Sequence, residues 1–143
     1  MTKILFICHG NICRSTMAEF VMKDIVHRNG KDDEFIIASA ATSREEIGNP
    51  VYPPVKKLLF EHGIDCSGKF ARQMTFEDYN YYDLIVCMDQ NNIRNLKYIC
   101  EDTDGKIRML LDRDVADPWY TRRFDDTWND INEGCNKLYE ELT

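Results

Sequence analysis

Apolar positions fall into two rhythms that alternate along the chain. Short, mostly apolar runs recur at 3–8 (KILFIC), 34–41 (EFIIASAA), 82–88 (YDLIVCM) and 106–112 (KIRMLLD). Runs of that length and makeup predict strands buried on both faces of a sheet. Between them the spacing changes to that of helices. In 15–30, Phe20, Val21, Ile25 and Val26 repeat helically until Asn29-Gly30 ends the pattern, and 55–63 is a second helix stopped by Gly63. The segment 89–100 turns Ile93, Leu96 and Cys100 inward behind a capping Asp89, and 127–142 aligns Trp128, Ile131, Cys135, Leu138 and Leu142 on one stripe. Two polar, proline-bearing stretches, 42–54 and 113–126, read as long loops, which in a compact chain are usually functional or disordered. No repeat or low-complexity segment interrupts the alternation. Strands separated by helices imply an α/β fold with a parallel sheet covered on both faces, and ligands at the carboxyl ends of its strands.

Composition narrows the possibilities. A chain of 143 residues suits a single domain, 1–143, with one hydrophobic core. Eighteen basic against twenty-five acidic residues give a formal charge of −7, and without a basic patch this argues against nucleic acid or an anionic membrane as partner. The opening MTKILFICHG passes into polar Gly10-Asn11 too soon for a signal peptide or a spanning helix, so a cytoplasmic monomer is expected. Six cysteines (Cys8, Cys13, Cys66, Cys87, Cys100, Cys135) contain no Cys-x2-Cys pair, and the chain has no His pair at ligand spacing. Neither disulfides nor a metal site is expected, and Cys87 and Cys135 read as small core residues. No cofactor is called for.

The chemistry concentrates in ILFICHGNICRST, residues 4–16. Cys8 closes the first strand, and the loop His9, Gly10, Asn11, Ile12, Cys13 leads to Arg14 and Ser15 at the start of a helix. Backbone amides turned inward there form a nest suited to a phosphate-sized anion. Gly10 and Asn11 are residue types that tolerate the positive φ such a curl demands. Arg14 adds a planar fork able to hold two phosphate oxygens. A helix amino terminus and a cation favour the thiolate form of a cysteine, so Cys8 reads as a nucleophile that attacks phosphorus and forms phosphocysteine. Ser15 either donates a hydrogen bond to the sulfur or simply caps the helix. Asp89, besides capping, stands where it can orient Arg14 or the loop amides.

These residues resemble the low-molecular-weight protein tyrosine phosphatases. The likeness rests on ICHGNICRS, GKFARQM after the second helix, YDLIVCMD and the late DPWY, and it spans nearly the whole chain. Cys-x5-Arg alone is shared by other phosphatases, but its combination with a downstream Asp-Pro-aromatic-Tyr is specific. The resemblance implies a flavodoxin-like three-layer sandwich with four parallel strands in the order 2-1-3-4. It also implies hydrolysis of phosphotyrosine in proteins or peptides, and of small aryl phosphates, with inorganic phosphate released. It further implies Asp117 as general acid, Trp119 and Tyr120 as cleft walls, and Cys13 as a redox partner of Cys8. A carboxyl on a loop is suited to protonate the departing phenolate and later to take a proton from water.

Departures from the family pattern lie around the site. Glu45, with Ile47 nearby, stands where many relatives carry an aromatic cleft residue, Lys69 replaces a histidine that supports the loop asparagine, and Thr16 replaces a proline. His9 is expected to lend its amide and point outward. His27 and His62 sit near helix ends, where an imidazole suits the dipole, and are not read as catalytic. Tyr79, Tyr81, Tyr82 and Tyr120 read as exposed, and the resemblance implies that such tyrosines can be phosphorylated. Two rivals to the phosphatase are arsenate reduction through further cysteines and non-catalytic phosphotyrosine binding. The first lacks a mobile cysteine pair and leaves Asp117-Pro118 unexplained, and the second has no need of a thiol.

Overall fold

A computed structural model describes residues 1–143. Its four strands are β1 (Thr2–Cys8), β2 (Phe35–Ala41), β3 (Leu84–Cys87) and β4 (Ile107–Met109), all parallel and in the order β2-β1-β3-β4. The order expected from the resemblance is therefore the observed one. Six α-helices, α1 (Arg14–Arg28), α2 (Pro53–Glu61), α3 (Phe76–Tyr81), α4 (Gln90–Leu96), α5 (Pro118–Thr121) and α6 (Phe124–Leu142), and a short 3-10 turn at Asp32–Glu34 complete the chain. No helix is long and apolar enough to cross a membrane.

The central strand explains the layering. Alternation sends Ile4, Phe6 and Cys8 of β1 to one face and Leu5 and Ile7 to the other. The first set joins a core with Met17, Val21, Leu59, Ile131 and Cys135, the second a smaller core with Tyr79, Ile85, Cys87 and Leu96. Ile4 to Ile7 are all fully buried, which is why this strand reads as an unbroken apolar run. Cys8 thus emerges at the carboxyl end of β1 on the α1 side, paired in register with Ala41.

Several boundaries differ from the sequence reading, each for a physical reason. The prolines assigned to the first long loop, Pro53 and Pro54, open α2, where a missing N–H costs nothing. α3 was not expected, although Thr75 and Asp78 form a complete capping box at its start. The second long loop contains the single turn α5 and the first residues of α6, whose Asp125 and Asp126 suit a helix amino terminus. β4 ends at Met109, and Leu110 and Leu111 leave the sheet for the main core. Tyr79 and Tyr82 are buried, contrary to expectation: the Tyr79 hydroxyl donates to Asp102 Oδ1 at 2.8 Å. Tyr81 and Tyr120 are exposed.

Candidate active site

The loop 9–13 curls tightly behind Cys8. The positive φ it requires falls on Asn11 (φ 61°) and not on Gly10, whose smallness instead admits the side chain of Glu46: a Cβ there would stand 3.3 Å from Glu46 Cγ. From His9 to Ser15 the only backbone N–H with an acceptor inside the protein is that of Asn11, 3.3 Å from Cys8 Sγ. The remaining amides have no acceptor within the protein and are open to a ligand.

Beneath the loop a chain of side-chain hydrogen bonds fixes the curl. Asn11 is fully buried, and its Nδ2 donates to Ser15 Oγ at 2.8 Å and to Ser39 Oγ at 2.9 Å, while its Oδ1 accepts the Arg72 N–H at 3.2 Å. The Ser39 hydroxyl in turn donates to Glu19 Oε1 at 2.5 Å. Glu19 is held by Lys69 at 3.2 Å and Lys23 at 2.6 Å, and Lys69 also donates to the Ser39 carbonyl. Burial depresses the Lys69 ammonium below its usual range, and the neighbouring Glu19 restores only part of that. Lys69 therefore reaches the asparagine support through Ser39 and Glu19. Glu19 and Ser39 were missed in the sequence, yet a carboxylate four residues after Ser15, on the buried face of α1, was a readable signal.

Ser15 does not cap its helix: Cys13 occupies that position without a side-chain bond, and Ser15 Oγ sits 3.0 Å from Cys8 Sγ. With its lone pairs receiving Asn11, the hydroxyl is free to donate to sulfur. Arg14, almost fully buried, is fixed by Asp89 Oδ2 at 2.7 Å and the Val115 carbonyl at 2.8 Å, and lies 3.5 Å from Asp117 Oδ2. Burial opposes its charge, but the nearby Cys8 sulfur, Asp89 and Asp117 together outweigh that and hold the guanidinium more firmly protonated. Cys13 is different. Burial, and then the charges of Cys8 and Asp117, push its thiol far upward, so at neutral pH it is protonated.

Above this floor is a cleft of about 140 Å³ bounded by Cys8, Arg14, Glu45, Asp117, Trp119 and Tyr120, among others. Asp117 caps α5 by accepting the Trp119 N–H at 3.0 Å and keeps its other oxygen toward the cleft and Arg14. The His9 imidazole points outward and meets Glu45 Oε2 at 2.9 Å across the rim. Ile47 is exposed and lies outside the cleft lining, which Glu46 joins instead. Behind Trp119 stands Tyr52, ring centroids 4.8 Å apart, a wall residue the sequence did not single out. Cys87 and Cys100 sit in the core on the opposite face of the sheet from Cys8.

Comparison with known proteins points the same way. The family model described as low molecular weight phosphotyrosine protein phosphatase matches residues 3–143. The low molecular weight protein-tyrosine-phosphatase YfkJ of Bacillus subtilis is 35% identical, covering 99% of this chain and 96% of its own. PtpA of Staphylococcus saprophyticus, of the same description, is 33% identical over 96% of this chain and 92% of its own. Among solved structures, the phosphatase SP-PTP of Streptococcus pyogenes superposes with a TM-score of 0.93 at 40% identity, covering 100% of this chain and 94% of its own.

Proposed function

This chain belongs to the low molecular weight phosphotyrosine protein phosphatase family and is a protein tyrosine phosphatase; from that premise we propose a mechanism that runs through a phosphocysteine on Cys8. The free amides of the loop from His9 to Ser15 and the Arg14 fork bind the phosphate oxygens of the ester. The Cys8 thiolate attacks phosphorus, an S–P bond forms and the P–O bond to the aryl group breaks. Asp117, entering as the carboxylic acid, gives its proton to the departing phenolate oxygen. Water then attacks the phosphocysteine, Asp117 takes back a proton, and inorganic phosphate leaves as the S–P bond breaks. The Ser15 hydroxyl, donating to Sγ, stabilises the sulfur as leaving group.

The observation that carries this reading is the convergence of unpaired loop amides, a buried guanidinium and a sulfur at the floor of one cleft. Phosphotyrosine fits because the ring is received between Tyr120, Trp119 and the Glu45 rim, and small aryl phosphates fit the same walls. Thiol-based arsenate reduction is disfavoured by Cys87 and Cys100 being packed across the sheet from Cys8. Six free thiols suit a reducing compartment, so we place the enzyme in the cytoplasm as a monomeric single domain, 1–143. The test is turnover of a phosphotyrosine peptide and an aryl phosphate by the parent and by Cys8→Ser. The variant should lose turnover in both while still binding phosphate, and appreciable residual activity would remove Cys8 from the role of nucleophile.

A further inference from the structure

The acid-bearing turn is joined to the phosphate loop by a second route. α5 is one turn long, closed at its end by the Arg122 N–H donating to the Pro118 carbonyl at 2.9 Å. Arg122 has φ 60° and ψ 16°, a left-handed conformation that side chains other than glycine adopt only when surrounding contacts hold them. Those contacts are visible. Arg122 Nη1 donates to Tyr52 Oη at 2.8 Å, and the guanidinium lies 5.6 Å from the Tyr52 ring centroid and 5.4 Å from that of Phe124. The Tyr52 ring also packs at a tilt against Trp119, two residues beyond Asp117, and its backbone N–H donates to the Ile12 carbonyl at 3.0 Å. The chain Arg122, Tyr52, Ile12 thus ties the end of α5 to the middle of the loop that carries the nucleophile. The direct tie, between Arg14 and Asp117, is long at 3.5 Å.

We propose that Arg122 is a positioning residue, clamped through Tyr52 to Ile12, that sets the Asp117 carboxyl at the height above Cys8 where it protonates the leaving oxygen. The proposal rests on the reading of Asp117 as general acid. Its consequence is selective: loosening the clamp disturbs proton delivery and leaves the anion nest, Arg14 and the sulfur where they are. Displacement of a catalytic group by about 1 Å is enough to cost up to ~10²-fold in rate.

The experiment compares Arg122→Ala, Tyr52→Phe, Asp117→Asn and the double variant Asp117→Asn/Arg122→Ala in burst kinetics with phosphotyrosine and a series of aryl phosphates of increasing phenol acidity. For Arg122→Ala we expect phosphoryl transfer from phosphotyrosine to fall roughly 10- to 100-fold, the loss shrinking as the phenol becomes more acidic, with competitive inhibition by inorganic phosphate changed less than about twofold. Tyr52→Phe removes only the hydroxyl acceptor and should show a smaller version of the same slope, which keeps the test open if Arg122→Ala folds poorly. The double variant should be no slower than Asp117→Asn alone, because Arg122 acts through that carboxyl. A loss equal across the series, or losses that multiply in the double variant, overturns the clamp. If Asp117→Asn shows a steep slope and both Arg122→Ala and Tyr52→Phe show none, the clamp fails while the acid reading stands; if Asp117→Asn shows none, both fall.

Discussion

Asp89 serves two neighbours at once: its Oδ1 accepts the Asn92 N–H at the start of α4 at 2.8 Å, and its Oδ2 receives Arg14 Nη1 at 2.7 Å. The capping function and the orientation of the Arg14 guanidinium are therefore separable by chemistry. Asparagine caps a helix about as well as aspartate, but it has no charge to hold a guanidinium. Asp89→Asn should leave thermal stability within a few degrees of the parent and lower kcat for an aryl phosphate by roughly tenfold, about 1.4 kcal/mol of barrier. Parallel melting and steady-state assays check this, and unchanged kcat would show that the Val115 carbonyl alone is enough to aim Arg14.

The state of Cys13 leads to a redox prediction. Its thiol is protonated at neutral pH because burial and the charge of Cys8 oppose ionisation. Peroxide should therefore oxidise Cys8 first, to the sulfenic acid, and Cys13 should then condense with it, forming the disulfide and releasing water. Dithiothreitol should restore most activity in the parent and much less in Cys13→Ser, where further oxidation of Cys8 has nothing to intercept it. Equal recovery in the two proteins would remove Cys13 from this role. Phosphate present during oxidation should slow inactivation by covering Cys8.

How much of this was legible in the sequence depends on whether the signal was local. β1 and the loop that follows it were readable because an apolar run, a thiol, a curl-tolerant Asn11 and Arg14 are contiguous, and the DPWY motif carried its own capping aspartate. The support beneath Asn11 was not readable as a unit, since Ser39, Lys69 and Arg72 come from segments that meet only in the folded sheet. Tyr79 was misjudged because polar neighbours made its short helix look like a surface segment, whereas one face of that helix closes the smaller core. The resemblance points to Ile47 beside Glu45 at the cleft, but the turn at 44–48 brings Glu46 to the lining and leaves Ile47 exposed.

Gly134 shows another limit of pattern reading. It lies on the buried stripe of α6, where glycine lowers helix propensity, and a Cβ at that position would collide with the Leu110 side chain. Its role is to let Leu110 enter the main core between α6 and the end of β4. Gly134→Ala gains about 1 kcal/mol of helix propensity but must displace Leu110, an overpacking cost of ~1–3 kcal/mol. We expect a net loss of stability in denaturant titration, and a double-mutant cycle with Leu110→Ala should show the glycine substitution costing less once Leu110 is truncated. A more stable single variant would mean that Leu110 has room to rotate away.

Asp78 links the acid stability of the fold to the loop that follows Cys8. Its carboxylate receives Arg72 Nη1 at 2.8 Å and the Thr75 N–H at 2.8 Å, and the Arg72 backbone in turn donates to Asn11. Burial works against the charge, but the Arg72 and Thr75 hydrogen bonds prevail and hold the Asp78 carboxyl below the ordinary aspartate range. A carboxyl whose folded value is depressed binds fewer protons in the native than in the unfolded state. Its stabilising contribution is therefore complete above the unfolded value, about 3.9, and is lost as pH falls through the lower folded value. Asp78→Asn should accordingly be less stable than the parent at pH 7 and at pH 5, with the gap closing below about pH 4. Urea titrations of both proteins at several pH values isolate this group, because the other carboxylates are common to the pair. At pH 7 the variant should also lose several-fold in kcat, roughly the effect of loosening one buried support, since Arg72 no longer fixes the Asn11 amide. A stability gap that stayed constant down to pH 3 would mean that Asp78 contributes by shape alone, and the Arg72 ion pair would then have no part in holding the loop.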